Sequence, residues 1–100
     1  MPHFFMKLET TRATFPGDIT EAENATMDAH FAYWQALTVA GGPSIVFGPV
    51  LDPAAIFGVG VVETEDEAAA RALIDDDPAI RAGLLRPLVF PMRVGGVRPS

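Results

Sequence analysis

The stretch DITEAENATMDAHFAYWQALTVAGGPSIVFGPVLD, residues 18–52, decides the fold. It contains a predicted helix, a Gly-Gly-Pro segment that ends the helix, and a predicted buried strand. Thr20 and Glu23 form a capping box, which predicts that a helix begins at Thr20. Gly41 and Gly42 end this helix, and the proline that follows them prevents it from resuming. The apolar run Ser44–Pro49 is then predicted to be a short buried strand.

The predicted helix carries an apolar stripe with one histidine in it. Met27, Phe31, Trp34 and Leu37 follow one another at helical spacing, and His30 lies among them. Two interpretations of His30 stay open at this point. It is either a core histidine satisfied by a hydrogen bond or a general base that takes a proton from a substrate.

Two further segments before the second helix read as strands. His3–Glu9 is rich in aromatic residues, and its alternation directs Phe4, Met6 and Leu8 to the core and Phe5 to the opposite face. The segment Ile56–Glu63 is the next strand. Its alternate glycines, 58 and 60, leave one face without bulk, which indicates that another backbone, ring or ligand approaches there.

The last third of the chain predicts two helices and a strand. Thr64–Glu67 repeats the capping-box pattern and starts a second helix. Asp77 is predicted to cap a short third helix, with Pro78 at its first position and Gly83 after its end. The segment Arg86–Arg93 is a last strand, and its two prolines predict an edge position.

The resulting order, β-α-β-β-α-β, predicts an α+β ferredoxin-like fold with a four-stranded antiparallel sheet and helices on one face. The open face would carry Phe5 and the glycine-bearing strand, and we expect it to pair with a second copy in a homodimer or higher homo-oligomer. Residues 1–94 are predicted to form one domain, and residues 95–100 a flexible tail.

Composition limits the class of function. The net charge of −6 argues against nucleic acid as a partner. The apolar stretch 36–62 is interrupted by glycine and proline, so we expect no membrane span. The chain has no cysteine and opens without a signal-peptide pattern, which predicts a cytoplasmic protein.

A family resemblance rests on several short motifs taken together. The chain resembles the YCII-related, or YciI-like, family through residues that run from the first strand to the last: Phe15-Pro16, Thr20-Glu21, Met27, His30, Tyr33, Leu37, Gly48-Pro49-Val50-Leu51-Asp52, Asp77-Pro78 and Ala82-Gly83-Leu84. It departs from many relatives at Asp77-Pro78-Ala79, where they carry phenylalanine after the proline.

The resemblance implies a dimeric α/β-barrel assembly of ferredoxin-like domains, residues 1–94 being the YCII-like domain. It also implies a cleft that contains His30 and Asp52 as a catalytic pair, without a metal or other cofactor. One branch of the family is similar to muconolactone isomerases in fold and removes HCl from a chlorinated ring compound. Asp52 has a second interpretation, since Asp-Pro is common turn chemistry.

We therefore expect an enzyme that acts on a small organic molecule, by isomerising a lactone or eliminating halide. His30 would be the general base and Asp52 would orient its ring; we take Phe5, Trp34 and Gly48 as candidate substrate contacts. Two alternatives stay open: a non-catalytic module that binds a small ligand or assembles as a dimer, and an accessory domain of a larger complex.

Overall fold

Seven elements follow the predicted order in the computed structural model, which describes residues 1–99. They are β1 (His3–Thr10), α1 (Glu21–Leu37), β2 (Ser44–Val50), β3 (Phe57–Glu63), α2 (Glu67–Asp75), α3 (Pro78–Arg81) and β4 (Leu85–Met92). The strands form one antiparallel sheet in the order β2-β3-β1-β4. This is the ferredoxin-like α+β fold that the sequence predicts, with α3 inserted before the last strand.

The core lies between the helices and one face of the sheet, which we call the inner face. Phe4, Met6 and Leu8 are buried there, as their alternation along β1 predicts. Trp34 of α1 and Ile74 of α2 pack against them and are fully buried. Strand β1, one of the two central strands, therefore supplies core side chains against which α1 and α2 pack.

The glycines of β3 correct one expectation. Gly60 pairs with Met6, and a Cβ atom at Gly60 would lie 2.3 Å from the Met6 Cε atom and 3.2 Å from the carbonyl oxygen of Val46. Gly58 likewise faces Leu8. The prediction that the glycine face belongs to the open side of the sheet is wrong, because the large side chains of β1 take the space beside these glycines on the inner face.

Two helix ends also differ from their predicted positions. Helix α1 ends at Leu37, before Gly41: the backbone leaves helical geometry at Thr38 (φ −98°, ψ 67°), and the Thr38 hydroxyl donates to the carbonyl oxygen of Trp34. Helix α2 is capped by Asp66 and not by Thr64: the Asp66 carboxylate accepts from the Ala69 amide at 2.8 Å. The box at Thr20 and the cap at Asp77 are confirmed.

The opposite side of the sheet, which we call the outer face, carries exposed apolar side chains. Phe90 is 49% exposed, and its ring centroid lies 6.4 Å from that of Phe5. Val46 is 55% exposed. Charged neighbours pair with one another there, as in the bond from Arg86 to Glu9 at 3.1 Å. The outer face is thus apolar, with its charges paired within the chain.

The loop between β1 and α1 is fixed by one arginine. Arg12 donates to both carboxylate oxygens of Asp18 and both of Glu23, and its guanidinium lies 5.4 Å from the Phe15 ring centroid. Hydrogen bonds from Arg12 are the first cause that lowers the pKa of Glu23 to about 2. Arg12 therefore ties the loop to the first turn of α1.

Residues 93–99 form no regular element, and residue 100 lies outside the described residues, so the flexibility of the tail stays a prediction. Among residues 1–99, none of the helices has both the length and the apolar character that crossing a bilayer requires.

Replacing Gly60 by alanine is expected to lower the free energy of unfolding by about 1–3 kcal/mol, because the new methyl group displaces Met6 and crowds a backbone oxygen. Gly48→Ala is the matched control, since a Cβ there meets no atom within 4 Å and the change should stay within about 0.5 kcal/mol. Urea denaturation measures both. Equal stability of the two variants would contradict the close approach at Gly60.

The Arg12–Glu23 ion pair predicts a pH-dependent contribution to stability. The pKa of Glu23 is lowered from 4.5 to about 2 in the folded chain, so the pair stabilises the fold above pH 4.5. This contribution is lost as the pH falls through about 2. Glu23→Gln should therefore destabilise the protein at neutral pH, with a difference from wild type that shrinks as acid is added.

The control for this measurement is Glu21→Gln. Glu21 lies in the same helical turn, but no ion pair to it is present within residues 1–99. Thermal unfolding at several pH values compares the two. A Glu23→Gln penalty that is independent of pH would contradict the proposed origin of the low pKa.

Candidate functional site

A cavity of about 410 Å³ lies between α1, the loop that precedes it and the inner face of the sheet. Met6 and Leu8 of β1 form part of its floor, and Phe47 of β2 part of its wall. Phe15 and Ile19 of the loop line it from the other side.

The neighbouring strands β2 and β3 each contribute one glycine to the cavity lining, Gly48 and Gly58. A side chain at Gly58 would contact Leu8, whereas Gly48 pairs with Val59, so that a side chain there would point to the outer face. Three of the twenty lining residues are polar or charged: Thr10, Asp28 and His30. The cavity is therefore suited to a mainly apolar molecule with few polar groups.

Among residues 1–99, His30 is the one histidine in the cavity lining. Its side chain is 14% exposed, and its Nδ1 atom lies 2.7 Å from Oδ2 of Asp77. An ionised carboxylate only accepts, so Nδ1 carries the proton. In the neutral ring, Nε2 is then the basic nitrogen, and it makes no hydrogen bond with any residue of the described chain. The arrangement leaves one free proton acceptor on a ring that lines the cavity.

Asp77 has no exposed surface and accepts three hydrogen bonds. Besides His30, the Trp34 Nε1–H donates to Oδ2 at 2.7 Å, and the Ala79 amide donates to Oδ1 at 2.8 Å. The last bond caps α3, and the extended backbone at Asp77 is the one that a following proline favours. One carboxylate therefore caps α3 and holds two side chains of α1.

The negative charges beside α1 also act on a tyrosine. Burial is the main cause that raises the pKa of Tyr33, and the charges of Asp76 and Asp77 raise it further. The Tyr33 hydroxyl donates to the carbonyl oxygen of Leu73 at 2.5 Å, which ties α1 to α2. Tyr33 thus stays a neutral donor that helps to fix the helix bearing His30.

The prediction that Asp52 is the partner of His30 is wrong, because Asp77 takes that place. The Asp52 carboxylate is exposed and accepts from the Ala54 backbone amide at 2.9 Å, and no bond joins it to His30 within the described residues. A carboxylate that accepts from the amide two residues later is the turn chemistry of Asp-Pro. The alternative interpretation of Asp52, a turn cap, is therefore the one that the structure has.

The candidate substrate contacts divide between the two faces of the sheet. Trp34 and Gly48 both lie in the cavity wall. Phe5 alternates to the outer face, where it contacts Phe90, and it does not line this cavity. The structure therefore brings His30, Trp34 and Gly48 together and separates Phe5 and Asp52 from them.

A signal for Asp77 exists in the sequence. His30 and Trp34 are four residues apart, so their ring N–H groups lie on the same face of α1. Two such donors within an apolar stripe need a shared acceptor once they are buried. The sequence does not say which carboxylate supplies it, because Asp77 reaches α1 only through the packing of α3.

The cavity shows no ready metal centre. Across residues 1–99, no group of three or more His, Cys, Asp or Glu side chains is close enough together to hold a metal ion. Asp77 is already occupied by three N–H donors.

Comparison with known proteins agrees with this fold. A search of curated proteins gives no match. Among solved structures, the chain is similar to 5-chloro-2-hydroxyhydroquinone dehydrochlorinase (TftG) from Burkholderia phenoliruptrix AC1100, in its complex with 2,5-dihydroxybenzoquinone. The TM-score is 0.66 at 22% sequence identity, with 92% of this chain and 95% of that chain covered. At this identity the likeness establishes the fold alone.

The family match covers nearly the whole domain. The YCII-related domain matches residues 4–93, from β1 to the end of β4, and so includes His30 and Asp77. The resemblance seen in the sequence is therefore confirmed: the chain belongs to the YCII-related domain family.

Proposed function

We propose that this protein is an enzyme that removes a proton from a small, mainly apolar ring compound, with His30 as the general base. The observation that carries the proposal is the 2.7 Å contact between His30 Nδ1 and the buried Asp77 carboxylate, on a ring that lines a cavity. A base of this kind needs a fixed tautomer and a free nitrogen within reach of the substrate.

The chemistry follows from the free nitrogen. His30 Nε2 takes a proton from the bound compound, and the electron pair left behind forms a new π bond. In an elimination, chloride leaves from the neighbouring carbon; in an isomerisation, the proton returns at another carbon of the same ring. Asp77 does not contact the substrate; it holds the imidazole and stabilises the imidazolium that forms.

Elimination of halide is the first candidate reaction, because the name of the similar protein TftG describes a dehydrochlorinase. Since one fold supports many reactions, this transfer is an analogy. Isomerisation of an unsaturated lactone is the second candidate, because it needs the same single base. Both reactions suit a cavity whose wall offers a fixed histidine among apolar side chains.

We further propose that the working unit is a homodimer joined through the outer face. This face carries the exposed apolar side chains Val46, Leu88, Phe90 and Met92, at 55%, 37%, 49% and 38% exposure. Its charges pair within the chain, so a second copy would bury them without leaving an ion unpaired. A sheet with helices on one side only leaves such a face to be covered.

Replacing His30 by glutamine tests the catalytic proposal. Wild type should accelerate chloride release from 5-chloro-2-hydroxyhydroquinone or the isomerisation of α-angelica lactone, and His30→Gln should lower that rate by about 10²- to 10⁴-fold. Chloride release is measured with an ion-selective electrode, and the isomerisation by proton NMR.

Two aspartate variants complete this test. Asp77→Asn should also lose activity, and it should lose stability because an amide cannot accept from all three donors. Asp52→Asn is the control and should keep wild-type activity, since its carboxylate bonds to its own turn. The proposal is contradicted if His30→Gln stays active, or if wild type accelerates neither reaction.

The dimer is tested by Phe90→Glu. A carboxylate at the centre of an apolar interface would be buried without a partner, so this variant should be a monomer at concentrations where wild type is a dimer. Val39→Glu is the control, because Val39 is 58% exposed and lies outside the sheet. Sedimentation velocity distinguishes the species, and a monomeric wild type would disprove the dimer.

A further inference from the structure

The charges around the cavity have one sign. Asp28 is the only acidic residue among those that line it, and no lysine or arginine of the described chain lines it. Asp28 is an exposed residue of the cavity lining, and its carboxylate makes no hydrogen bond within residues 1–99. A ligand that enters therefore meets a free carboxylate and no free cation.

Within residues 1–99, two cations lie behind aromatic side chains of the cavity lining, and both are paired with carboxylates. Lys7 Nζ lies 4.6 Å from the ring centroid of Phe57 and 3.6 Å from Oε2 of Glu9. The Arg12 guanidinium lies behind Phe15, which lines the cavity, at 5.4 Å from the ring centroid. Its donors are taken by two carboxylates, Asp18 and Glu23. With one positive and two negative charges, this cluster carries a formal charge of −1 and does not attract an anion.

His30 does not supply the missing positive charge either. Its Nδ1 atom lies against Asp77, so a protonated ring and this carboxylate sum to zero, and a neutral ring leaves −1. Adding Asp28 gives a formal charge of −1 or −2 for the three groups together. In both protonation states of His30, the cavity is therefore unfavourable for a carboxylate.

We infer that the cavity selects uncharged ring compounds over their carboxylate analogues, and that Asp28 is the residue that determines this selectivity. A ligand carboxylate in the cavity would lose water, find no cationic partner and face the charge of Asp28. A neutral ring of the same shape loses only apolar contact with water, which is favourable. The inference deepens the proposed function and rests on it, since it assigns the substrate class of the same cavity.

The test compares two ligands that differ in one group: methyl 2,5-dihydroxybenzoate, which is neutral, and 2,5-dihydroxybenzoate, which is an anion at neutral pH. Trp34 is the only tryptophan of the chain and lies in the cavity wall, so its indole N–H signal in ¹H–¹⁵N NMR reports binding at this site. The ester should bind at least about tenfold more tightly than the acid at low ionic strength.

Asp28→Asn should narrow that ratio by about three- to tenfold, mainly through tighter binding of the acid. Glu21→Gln is the matched control: it removes one negative charge from the same helix at a residue outside the cavity lining, and the ratio should stay within about twofold. Added salt should weaken the discrimination in wild type and leave Asp28→Asn less affected.

Three results would overturn the inference: equal or tighter binding of the acid by wild type, an unchanged ratio in Asp28→Asn, or no response of the Trp34 signal to either ligand at millimolar concentration. The first two concern binding alone and leave the role of His30 as a base untouched. Conversely, an inactive wild type would remove the proposed reaction while the preference for the ester could still be measured.

Discussion

A single buried carboxylate holds the site together. Burying an ionised aspartate costs several kcal/mol unless charge-assisted hydrogen bonds replace its water. Asp77 recovers that cost through three N–H donors: two rings of α1 and the first turn of α3. The same bonds fix the angle at which α3 packs on α1 and the tautomer of His30. The packing of α3 and the orientation of the His30 ring therefore depend on the same carboxylate.

The position of the cavity follows from where the side chains of β1 fill the inner face. Met6 takes the space beside Gly60, and Leu8 takes the space beside Gly58. The inner face is thus closed beside the centre of the sheet and open toward β2. An apolar floor of this kind binds a ring by burial, and the few polar groups then determine its orientation.

In the proposed function, two carboxylates have separate roles. Asp77 is fully buried and contacts His30, whereas Asp28 is an exposed residue of the cavity lining, which a ligand would meet directly. Burial decides which of the two carboxylates a ligand can reach. The similarity to TftG establishes the fold alone and does not assign a role to either carboxylate.

Local sequence determined the elements of this protein. The capping box at Thr20, the alternation of Phe4, Met6 and Leu8, and the Asp77-Pro78 start of α3 each depend on neighbours a few residues away, and each was predicted. These patterns also predicted the order of the elements along the chain and the presence of His30 in a helix stripe. The start of α2 was misplaced because Thr64 and Asp66 both suit a cap, and only the path of the chain after β3 selects Asp66.

Tertiary structure alone decided the partner of the histidine. His30 and Asp77 are 47 positions apart, and Asp52 matched the sequence pattern equally well. Only the docking of α3 against α1 buries Asp77, and burial is what obliges a carboxylate to find donors. The face of the β3 glycines was likewise set by packing, since alternation places both on one side without saying which. Sequence therefore determined which groups could do chemistry, and three-dimensional packing determined which of them meet.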